Sequence, residues 1–285
     1  MMNVLFCFDR NYEQHFGVAV TSLILNNAAH LQGIYIITDH ISPELKAKLE
    51  ALTQKHKVTF YPYEIDGKKA EVDKFKIFAH VSAAACYRLL IAEILPPDLE
   101  KVLYLDSDLV VNGDLSELYN LDVSNYPVAA FGGKVRTTKQ RLQLKNDYYF
   151  NSGVLLINLN LWRQQKVGLR AIDIIKNDPE SVLLPDQDAI NKVVDGNFLL
   201  LDKKWNSQVD SYEFQSQVDG DSVIVHYIGS LKPWQGWCMA PEKDLYWSYL
   251  KKSPWSDAKA EKPKNVKKLV AATRYLFRYA LRKRA

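Results

Sequence analysis

Two acidic residues separated by one position, Asp106 and Asp108, are the residues best suited to do chemistry. They directly follow an apolar run, residues 102–105, that is typical of a buried strand. Two carboxylates at this spacing reach one divalent cation if the backbone turns between them, and oxygen ligands suit Mg²⁺ or Mn²⁺. The alternative is that these acids and Ser107 form an ordinary turn at the end of a strand.

A second candidate is His226, which follows an apolar run and precedes Gly229 and Lys232. The imidazole is a possible nitrogen ligand for a metal, while the glycine and the lysine are residues that can lie against phosphate. The alternative is a partly buried histidine stacked in an aromatic cluster with Trp234 and Trp237.

Two further motifs carry polar groups next to apolar runs. Asp186, Gln187 and Asp188 follow a proline and begin a helical pattern, where acids also serve as ordinary caps of a helix N-terminus. Asn151 and Gly153 precede a hydrophobic run, and a turn into a strand explains both residue types without any function.

Strand-like and helical patterns alternate along most of the chain, which predicts a mostly parallel sheet in an α/β fold. Ligands of such sheets bind beyond the carboxyl ends of the strands, so the residues after Phe8 and after Leu105 should share one crevice. The predicted strands are residues 4–8, 33–38, 58–62, 101–105, 128–131, 154–158 and 223–227, and the predicted helices are 12–26, one opened by Ser42-Pro43-Glu44, 83–95, 161–176 and 242–251.

The composition is that of an ordinary globular protein, because 47% of the 285 residues are hydrophobic and 25% are charged. The net charge of +4 is too mild to indicate a nucleic-acid partner. It hides an asymmetry, since residues 258–285 carry ten Lys/Arg and one acid, a net +9, and the remainder carries −5. An acidic body with a basic tail is therefore expected.

The three cysteines, Cys7, Cys86 and Cys238, are far apart and form no Cys-x-x-Cys pair. This sparse, odd set fits a reducing compartment better than a disulfide framework. No apolar stretch approaches the eighteen residues of a membrane span, and the N-terminal run lacks the features of a secretory signal. We therefore expect a cytoplasmic protein or one docked on a membrane from the cytoplasmic side.

A set of motifs appears in a fixed order along the chain: Val4, Asp9-Arg10-Asn11-Tyr12, Tyr87-Arg88-Leu89, Lys101 to Asp108, Phe150 to Leu159 with Trp162-Arg163, Asp186-Gln187-Asp188 with Asn191, and His226 to Trp234. Together these motifs resemble glycosyltransferase family 8, the metal-dependent retaining transferases that use nucleotide sugars. The resemblance covers about residues 4–234, and residues 235–255 resemble the C-terminal extension of the bacterial lipopolysaccharide-core branch.

The resemblance implies a GT-A type nucleotide-diphospho-sugar transferase fold. This fold is α/β, with a mixed, mostly parallel sheet flanked by helices, and here it is expected to carry a C-terminal helical extension. A catalytic domain is expected over residues 1–255, including the extension 235–255. A hinge and a basic amphipathic tail would occupy residues 256–285.

The resemblance also implies roles for the candidate residues. In the DXD motif Asp106 and Asp108, with His226, would hold Mn²⁺ or Mg²⁺ against the diphosphate of UDP-glucose or UDP-galactose. A cation there would neutralise charge on the leaving group. The residues expected to bind the nucleotide sugar are Cys7, Asp9, Asn11, Tyr12, Arg88, Asp106, Ser107, Asp108, Gly229 and Lys232, and those expected to surround the transferred hexose as catalytic residues are Arg88, Asn151, Asp186 and Gln187.

Two routes remain open for the mechanism by which the anomeric configuration of the sugar is retained. A double displacement needs a carboxylate at the β face of the sugar, as in retaining glycosidases. The matching residue, Gln187, is a poor nucleophile, which favours front-face attack with Asp186 as the alternative nucleophile. One departure from the family matters, because Phe131 and two glycines stand where some relatives carry an acid that touches donor or acceptor.

The basic tail has apolar residues at helical spacing, including Val266, Leu269, Val270 and Phe277, flanked by Lys and Arg. Such a helix suits an anionic membrane surface. The alternative is a helix that packs on the body and leaves a solvated charged face.

The function expected is transfer of an α-hexose, glucose or galactose, from a UDP-sugar to a lipopolysaccharide core acceptor at the inner face of the inner membrane. Two alternatives are a phosphohydrolase of the haloacid-dehalogenase type, which also has Asp-x-Asp after a strand, and a non-catalytic nucleotide-sugar-binding protein. The donor epimer, the linkage and the acceptor sugar are not visible in the motifs.

Overall fold

The structure, a computed structural model, describes residues 1–65 and 86–282. Within these residues a large mixed sheet is flanked by helices on both faces, as the sequence predicts. The strands are β1 (Met2–Phe8), β2 (Leu31–Thr38), β3 (Phe60–Glu64), β4 (Lys101–Leu105), β5 (Leu109–Val111), β6 (Val128–Lys134), β7 (Tyr148–Asn158), β8 (Leu199–Leu200), β9 (Ser207–Asp210) and β10 (Ile224–Ile228).

The large sheet has the strand order β3-β2-β1-β4-β7-β6-β8. The pairs from β3 to β4 and the pair of β6 with β8 are parallel, whereas β7 runs antiparallel to both β4 and β6. Phe6 of β1 lies opposite Leu105 of β4, so the two strands end at the same edge of the sheet. The expectation that the residues after Phe8 and after Leu105 meet there is confirmed.

Alternating residues of the central strands pack into two separate cores, one on each face of the sheet. In β1, Phe6 and Phe8 contact one core while Leu5 and Cys7 contact the other. Both faces are therefore covered by apolar side chains, which is the burial expected for a parallel sheet between helices.

The helices connect the strands and cover both faces of the sheet. Ser42 caps the second helix by accepting a hydrogen bond from the Leu45 backbone N–H, as the sequence predicts. The helices are α1 (Glu13–Asn27), α2 (Pro43–His56), α3 (Ile91–Ile94), α4 (Ser116–Tyr119), α5 (Arg136–Leu142), α6 (Leu159–Gln164), α7 (Val167–Asn177), α8 (Pro185–Val194), α9 (Lys243–Leu250) and α10 (Val266–Arg282).

Several predicted boundaries were wrong. The third strand begins at Phe60 rather than at residue 58. Part of the predicted helix 83–95 lies outside the described residues. Residues 86–87 are helical as predicted, but they are followed by a 3₁₀ turn, Arg88–Leu90, and by the short α3, which ends at Ile94. The predicted helix 161–176 is two helices, because Lys166 is left-handed at φ 52° and redirects the chain so that Gly168 lies against the Leu89 carbonyl.

The strand predicted for residues 154–158 is longer at its N-terminal end, because β7 begins at Tyr148. Asn151 and Gly153 are therefore strand residues, and the turn that was the alternative explanation for them is absent from the described structure. Gly132 of β6 makes this extension possible, since the Phe150 backbone lies too close to leave room for a side chain there.

A second, three-stranded sheet with the order β5-β10-β9 was not expected from the sequence. It joins β5, which follows Asp108 directly, to β10, the strand that contains His226. His226 lies opposite Leu109 in this pairing. The small sheet therefore brings a residue from late in the chain to the end of β4.

The C-terminal part of the chain packs on the body. Trp255 lies against Gly17 of α1, and its indole N–H donates to Glu13 Oε1 at 2.9 Å. Within the predicted hinge, Glu261 exchanges backbone hydrogen bonds with Trp234 and Gly236, each 2.9 Å.

The tail helix α10 docks through one face only. The Tyr275 hydroxyl donates to the Ser211 carbonyl oxygen at 3.0 Å and accepts from the Met239 N–H at 3.1 Å. On the other side of the helix, Val266 is 75% exposed and Phe277 is 63% exposed. The helix thus packs on the body, as one of the two alternatives for the tail expects. Its apolar stripe stays exposed, as the membrane-binding alternative requires.

None of the helices within residues 1–65 and 86–282 is both long and apolar enough to span a bilayer. The thiols of Cys7, Cys86 and Cys238 are free and buried.

Candidate active site

The Asp106–Asp108 segment is held between the two sheets by backbone hydrogen bonds. The Asp106 N–H donates to the Gly153 carbonyl of β7 at 2.8 Å, and the Tyr227 N–H of β10 donates to the Asp108 carbonyl at 3.0 Å. The segment leaves the large sheet at Leu105 and enters the small sheet at Leu109. The turn that two cooperating carboxylates require is therefore fixed at both ends.

Asp106, Asp108 and His226 come together as a cluster. His226 Nε2 lies 3.3 Å from Asp108 Oδ1 and 3.8 Å from Asp106 Oδ2. One ligand atom from each of the three residues falls within 4.8 Å of the others. His226 is stacked on neither Trp234 nor Trp237 in the described structure, since Trp234 stacks on His15 instead. The aromatic-cluster alternative for His226 was therefore wrong.

The residues of this cluster fit a hard or borderline divalent cation such as Mg²⁺ or Mn²⁺. Two carboxylate oxygens and one imidazole nitrogen leave further coordination positions for phosphate oxygens and water. Gly153 forms one wall, because a Cβ at that position would overlap His226 and would lie 2.6 Å from Asp106 Oδ2. A side chain at residue 153 would thus fill the space between the ligands.

Lys232 lies beside the cluster on the loop that follows β10. Gly229 takes φ +75°, a left-handed conformation that suits glycine, where the chain leaves the strand. Lys232 Nζ then lies 2.8 Å from Asp108 Oδ2. Burial raises the pKa of Asp108, but the lysine and His226 outweigh it and hold that pKa below its usual range. Asp108 is therefore ionised and its charge is partly balanced.

The buried Arg88 forms ion pairs with two of the predicted carboxylates, those of Asp106 and Asp186. Its Nη2 lies 2.7 Å from Asp106 Oδ1, its Nε lies 3.2 Å from Asp186 Oδ2, and its Nη1 donates to the Ser152 carbonyl at 2.8 Å. Burial of Asp186 raises the pKa of that carboxyl, although Arg88 opposes the shift. Arg88 and Asp186 orient the wall of the site from the protein interior.

A cavity of about 670 Å³ opens in front of these groups. It is large enough for part of a nucleotide sugar and lies at the carboxyl end of β4, where ligands of α/β sheets bind. Its lining residues are Asp106, Asp108, Phe131, Gly132, Gly133, Tyr149, Asn151, Ser152, Leu184, Gln187, Gln208, His226, Ile228, Gly229 and Lys232.

The residues predicted to bind the nucleotide follow β1 at the same edge. Asp9 Oδ1 accepts from the N–H groups of Asn11 and Tyr12, which fixes the 3₁₀ turn after the strand. Burial and then the nearby Asp108 and Asp106 carboxylates raise the pKa of the Tyr12 hydroxyl. Tyr12 therefore lies close to the acidic cluster, whereas the Asn11 side chain is exposed.

Two of the predicted residues are buried. Cys7 is the next-to-last residue of β1 and is 6% exposed, and burial raises the pKa of its thiol. The Ser107 hydroxyl is also buried and makes no hydrogen bond within the described residues.

Asp188 is the residue of its motif that acts as a cap. Its Oδ2 accepts from the backbone N–H groups of Leu183 and Leu184 at the start of α8. The capping alternative considered for this motif therefore describes Asp188, while Asp186 binds Arg88 and Gln187 lines the cavity.

Several cavity residues were missed by the sequence reasoning. Tyr149 directly precedes the Phe150-Asn151 motif, so its position next to the motif was the available signal. Gln208 lines the cavity from β9, a strand that the sequence patterns did not predict. Asn206, which directly precedes β9, is fully buried behind the cavity lining and contacts His226. No pattern in the sequence pointed to these two residues.

Comparison with known proteins gives the family. Residues 3–238 match glycosyl transferase family 8. The chain belongs to this family. It is accordingly a glycosyltransferase, and the family implies a nucleotide-sugar donor, usually with a divalent metal. The phosphohydrolase alternative was wrong.

Relatives of similar length extend this result. A lipopolysaccharide 1,3-galactosyltransferase of Salmonella typhimurium is 29% identical over 96% of this chain and 85% of its own length. A lipopolysaccharide 1,2-glucosyltransferase of Escherichia coli K12 is 28% identical over 94% of this chain and 82% of its own. General stress protein A of Bacillus subtilis is 29% identical over 90% of this chain and 95% of its own length.

Solved structures agree on the GT-A fold of this family 8 chain. The galactosyltransferase LgtC, solved with donor and acceptor sugar analogues, has a TM-score of 0.75 at 23% identity, with coverage of 89% of this chain and 96% of that one. The glycosyltransferase GlyE of Streptococcus pneumoniae TIGR4 has a TM-score of 0.70 at 26% identity. The match covers 90% of this chain and 62% of the GlyE chain.

Proposed function

We propose that the protein is a metal-dependent, retaining glycosyltransferase that moves glucose or galactose from a UDP-sugar to a lipopolysaccharide core oligosaccharide. The observation that carries the proposal is the meeting of Asp106, Asp108 and His226 with Lys232 at a cavity that Gln187 also lines. The lipopolysaccharide galactosyl- and glucosyltransferases among its relatives support the acceptor class.

The charged residues of the site are suited to a UDP-sugar. Asp106, Asp108 and His226 would hold Mn²⁺ or Mg²⁺, which would supply positive charge to offset that of a leaving diphosphate. Lys232, which contacts Asp108, and the Gly229 backbone would bind the same diphosphate. Tyr12 would stack on the uracil, and Asp9, Asn11 and the Cys7 backbone would bind the base and ribose.

Gln187 is proposed to lie at the β face of the transferred hexose. Its amide cannot act as a nucleophile, so it would stabilise an oxocarbenium-like sugar through its dipole. Asp186 is held by Arg88 and Ser152 away from the cavity lining, which disfavours it as the nucleophile. We therefore favour front-face attack, with a diphosphate oxygen helping to take the proton of the acceptor hydroxyl.

The tail helix is proposed to place the enzyme on the cytoplasmic face of the inner membrane. Its exposed apolar stripe faces away from the Tyr275 contact, and basic residues such as Lys267, Arg274 and Arg278 lie along one side of the stripe. An amphipathic helix of this kind binds anionic lipid surfaces. Such placement would bring the site to an acceptor that is itself anchored in the membrane.

The experiment that tests the function is an assay of UDP release from UDP-glucose and UDP-galactose in Mn²⁺, with and without a truncated lipopolysaccharide core. We expect release from one donor, stimulation by the acceptor, and an α-linked product by NMR. A β-linked product, or no release from either donor in Mn²⁺ or Mg²⁺, would contradict the proposal. Binding of both donors without turnover would favour the non-catalytic alternative.

A further inference from the structure

A chain of hydrogen bonds begins at the buried His226 and runs along the wall of the cavity. The ring Nδ1 of His226 lies 3.0 Å from Asn206 Oδ1. Asn206 Nδ2 donates to Asn151 Oδ1 at 3.0 Å, and Asn151 Nδ2 donates to Gln187 Oε1 at 3.1 Å. Three side-chain contacts thus connect a candidate metal ligand to the glutamine proposed to face the sugar.

The chain continues from Gln187 to a charged pair at the other side of the cavity. Gln187 Nε2 donates to the Tyr149 hydroxyl at 2.8 Å, and that hydroxyl donates to Asp188 Oδ1 at 2.6 Å. Arg141 then holds Asp188 through two hydrogen bonds, 2.7 and 3.2 Å long. Within the described residues, the connection from His226 to Arg141 is unbroken.

The direction of every bond in this chain is determined. The Gly153 N–H donates to Asn151 Oδ1 and the Ser152 N–H donates to Gln187 Oε1, each at 3.0 Å, so neither amide can flip without placing a donor against a donor. Burial raises the pKa of Asp188, but hydrogen bonds from Arg141 and Tyr149 outweigh it and leave that pKa lowered. An ionised Asp188 only accepts, so Tyr149 must donate to it.

The fixed direction has a consequence at the opposite end of the chain. Because Asn206 donates its amide N–H to Asn151, its oxygen is free to accept from His226. The His226 proton then resides on Nδ1, and the lone pair of Nε2 faces Asp108 and Asp106. This is the orientation that a metal-ligating histidine needs, and such outer partners tune the ligand.

We propose that Asn206 and Tyr149 are positioning residues of the transferase, which act through His226 and Gln187 by way of this one-directional chain. Asn206 holds the tautomer of the metal ligand, and Tyr149 holds the Gln187 amide in a single orientation toward the transferred sugar. The inference rests on the proposed function for every effect that passes through Gln187, whereas the effect of Asn206 on His226 concerns metal binding and is tested without turnover.

The first test compares two substitutions of Asn206 by titrating Mn²⁺ into the full chain with calorimetry. Asn206→Ala leaves the Nδ1–H of His226 without an acceptor, and we expect a roughly 10- to 100-fold loss of Mn²⁺ affinity. Asn206→Asp restores an acceptor for His226 but removes the donor to Asn151. We therefore expect it to keep Mn²⁺ affinity within about threefold of the original chain while kcat falls about tenfold.

The second test is Tyr149→Phe, with Tyr148→Phe on the same strand as the matched control. The Tyr148 hydroxyl takes no part in the chain of hydrogen bonds. We expect Tyr149→Phe to lower kcat about tenfold with little change in KM for the UDP-sugar, because one hydrogen bond that orients Gln187 is lost while donor binding is kept. The control should keep both constants.

The outcomes separate the proposal from the proposed function. Equal Mn²⁺ affinity of Asn206→Ala and the original chain, or an equal loss for Asn206→Ala and Asn206→Asp in folded proteins, would overturn the role of Asn206. Unchanged kcat in Tyr149→Phe would overturn the role of Tyr149. If the original chain transferred no sugar, the proposed function and the role of Tyr149 would fail together, while the Mn²⁺ titrations would still decide the role of Asn206.

Discussion

At the scale of single residues, the site is a nearly balanced group of buried and partly buried charges. Asp106, Asp108 and Asp186 contribute three carboxylates, against which Arg88 and Lys232 place two cations in direct contact. Such groups are costly to bury unless they are paired. The remaining negative charge suits a divalent cation, and the excess positive charge that the cation brings suits a diphosphate.

Gly153 gives the most direct residue-scale prediction. A methyl group there would overlap His226 and crowd Asp106, so Gly153→Ala should weaken Mn²⁺ affinity by tenfold or more, because the ligands must move apart. Calorimetric titration measures this change. Gly133→Ala is the matched control, since a Cβ at residue 133 meets nothing within 4 Å although the residue lines the same cavity. Equal affinity of the two variants would contradict the geometry of the cluster.

His15 gives a prediction of pH dependence. It is stacked on Trp234 and bonded to the Tyr246 hydroxyl, and burial, together with the nearby Lys232 and Lys264, outweighs Asp108 and lowers its pKa from 6.5 to about 3. Between pH 3 and pH 6.5, His15 therefore binds a proton in the unfolded chain but not in the folded chain. The stabilisation is therefore complete above pH 6.5 and is lost as the pH falls toward 3.

The measurement is the free energy of unfolding in urea at pH 7 and pH 5. The original chain should lose about 2 kcal/mol between these values through this group, and His15→Gln should remove that part of the slope. His30→Gln, at an exposed histidine far from this cluster, is the control and should keep the contribution of His15. An identical pH slope in His15→Gln and the original chain would show that His15 is not held neutral.

At the scale of elements, the sequence predicted the strands whose residues are buried on both faces. β1, β2 and β4 have continuous apolar runs, and their parallel order follows from the helices between them. β9 was missed because Ser207 and Gln208 make it short and polar, and its pairing with β10 depends on contacts distant in sequence. The small sheet, and with it the positions of Asn206 and Gln208, could therefore not be predicted from the sequence patterns.

The tail helix gives the prediction that belongs to this scale. Leu269→Ser and Phe277→Ser, combined, should weaken binding to anionic vesicles at least tenfold, because each change removes apolar area that would enter the lipid interface. Deletion after Lys264 should abolish the binding. Ala271→Ser, exposed on the same helix outside the apolar stripe, is the control, and vesicle co-sedimentation is the measurement. Full binding by the double variant would contradict the membrane role.

At the scale of the whole molecule, the net charge of +4 is the sum of an acidic body, residues 1–257 with −5, and a basic tail, residues 258–285 with +9. The acidic body includes the candidate metal site, whose three residues come from one motif that follows β4 and one that begins on β10. The sequence could not show that Arg88 and Asp186 pair behind the cavity, because that contact depends on how α8 packs against β7. The sequence motifs identified candidate side chains, and tertiary packing determines which of them face the cavity.

The central claim is that Asp106, Asp108 and His226 form a metal site that binds the diphosphate of UDP. Calorimetric titration of UDP into the original chain, Asp108→Ala and the exposed-residue control Asp114→Ala, each with and without Mn²⁺, tests it most directly. We expect Mn²⁺ to strengthen UDP binding in the original chain and the control, and to have no effect in Asp108→Ala, whose fold is unchanged. Equal strengthening by Mn²⁺ in Asp108→Ala would contradict the account.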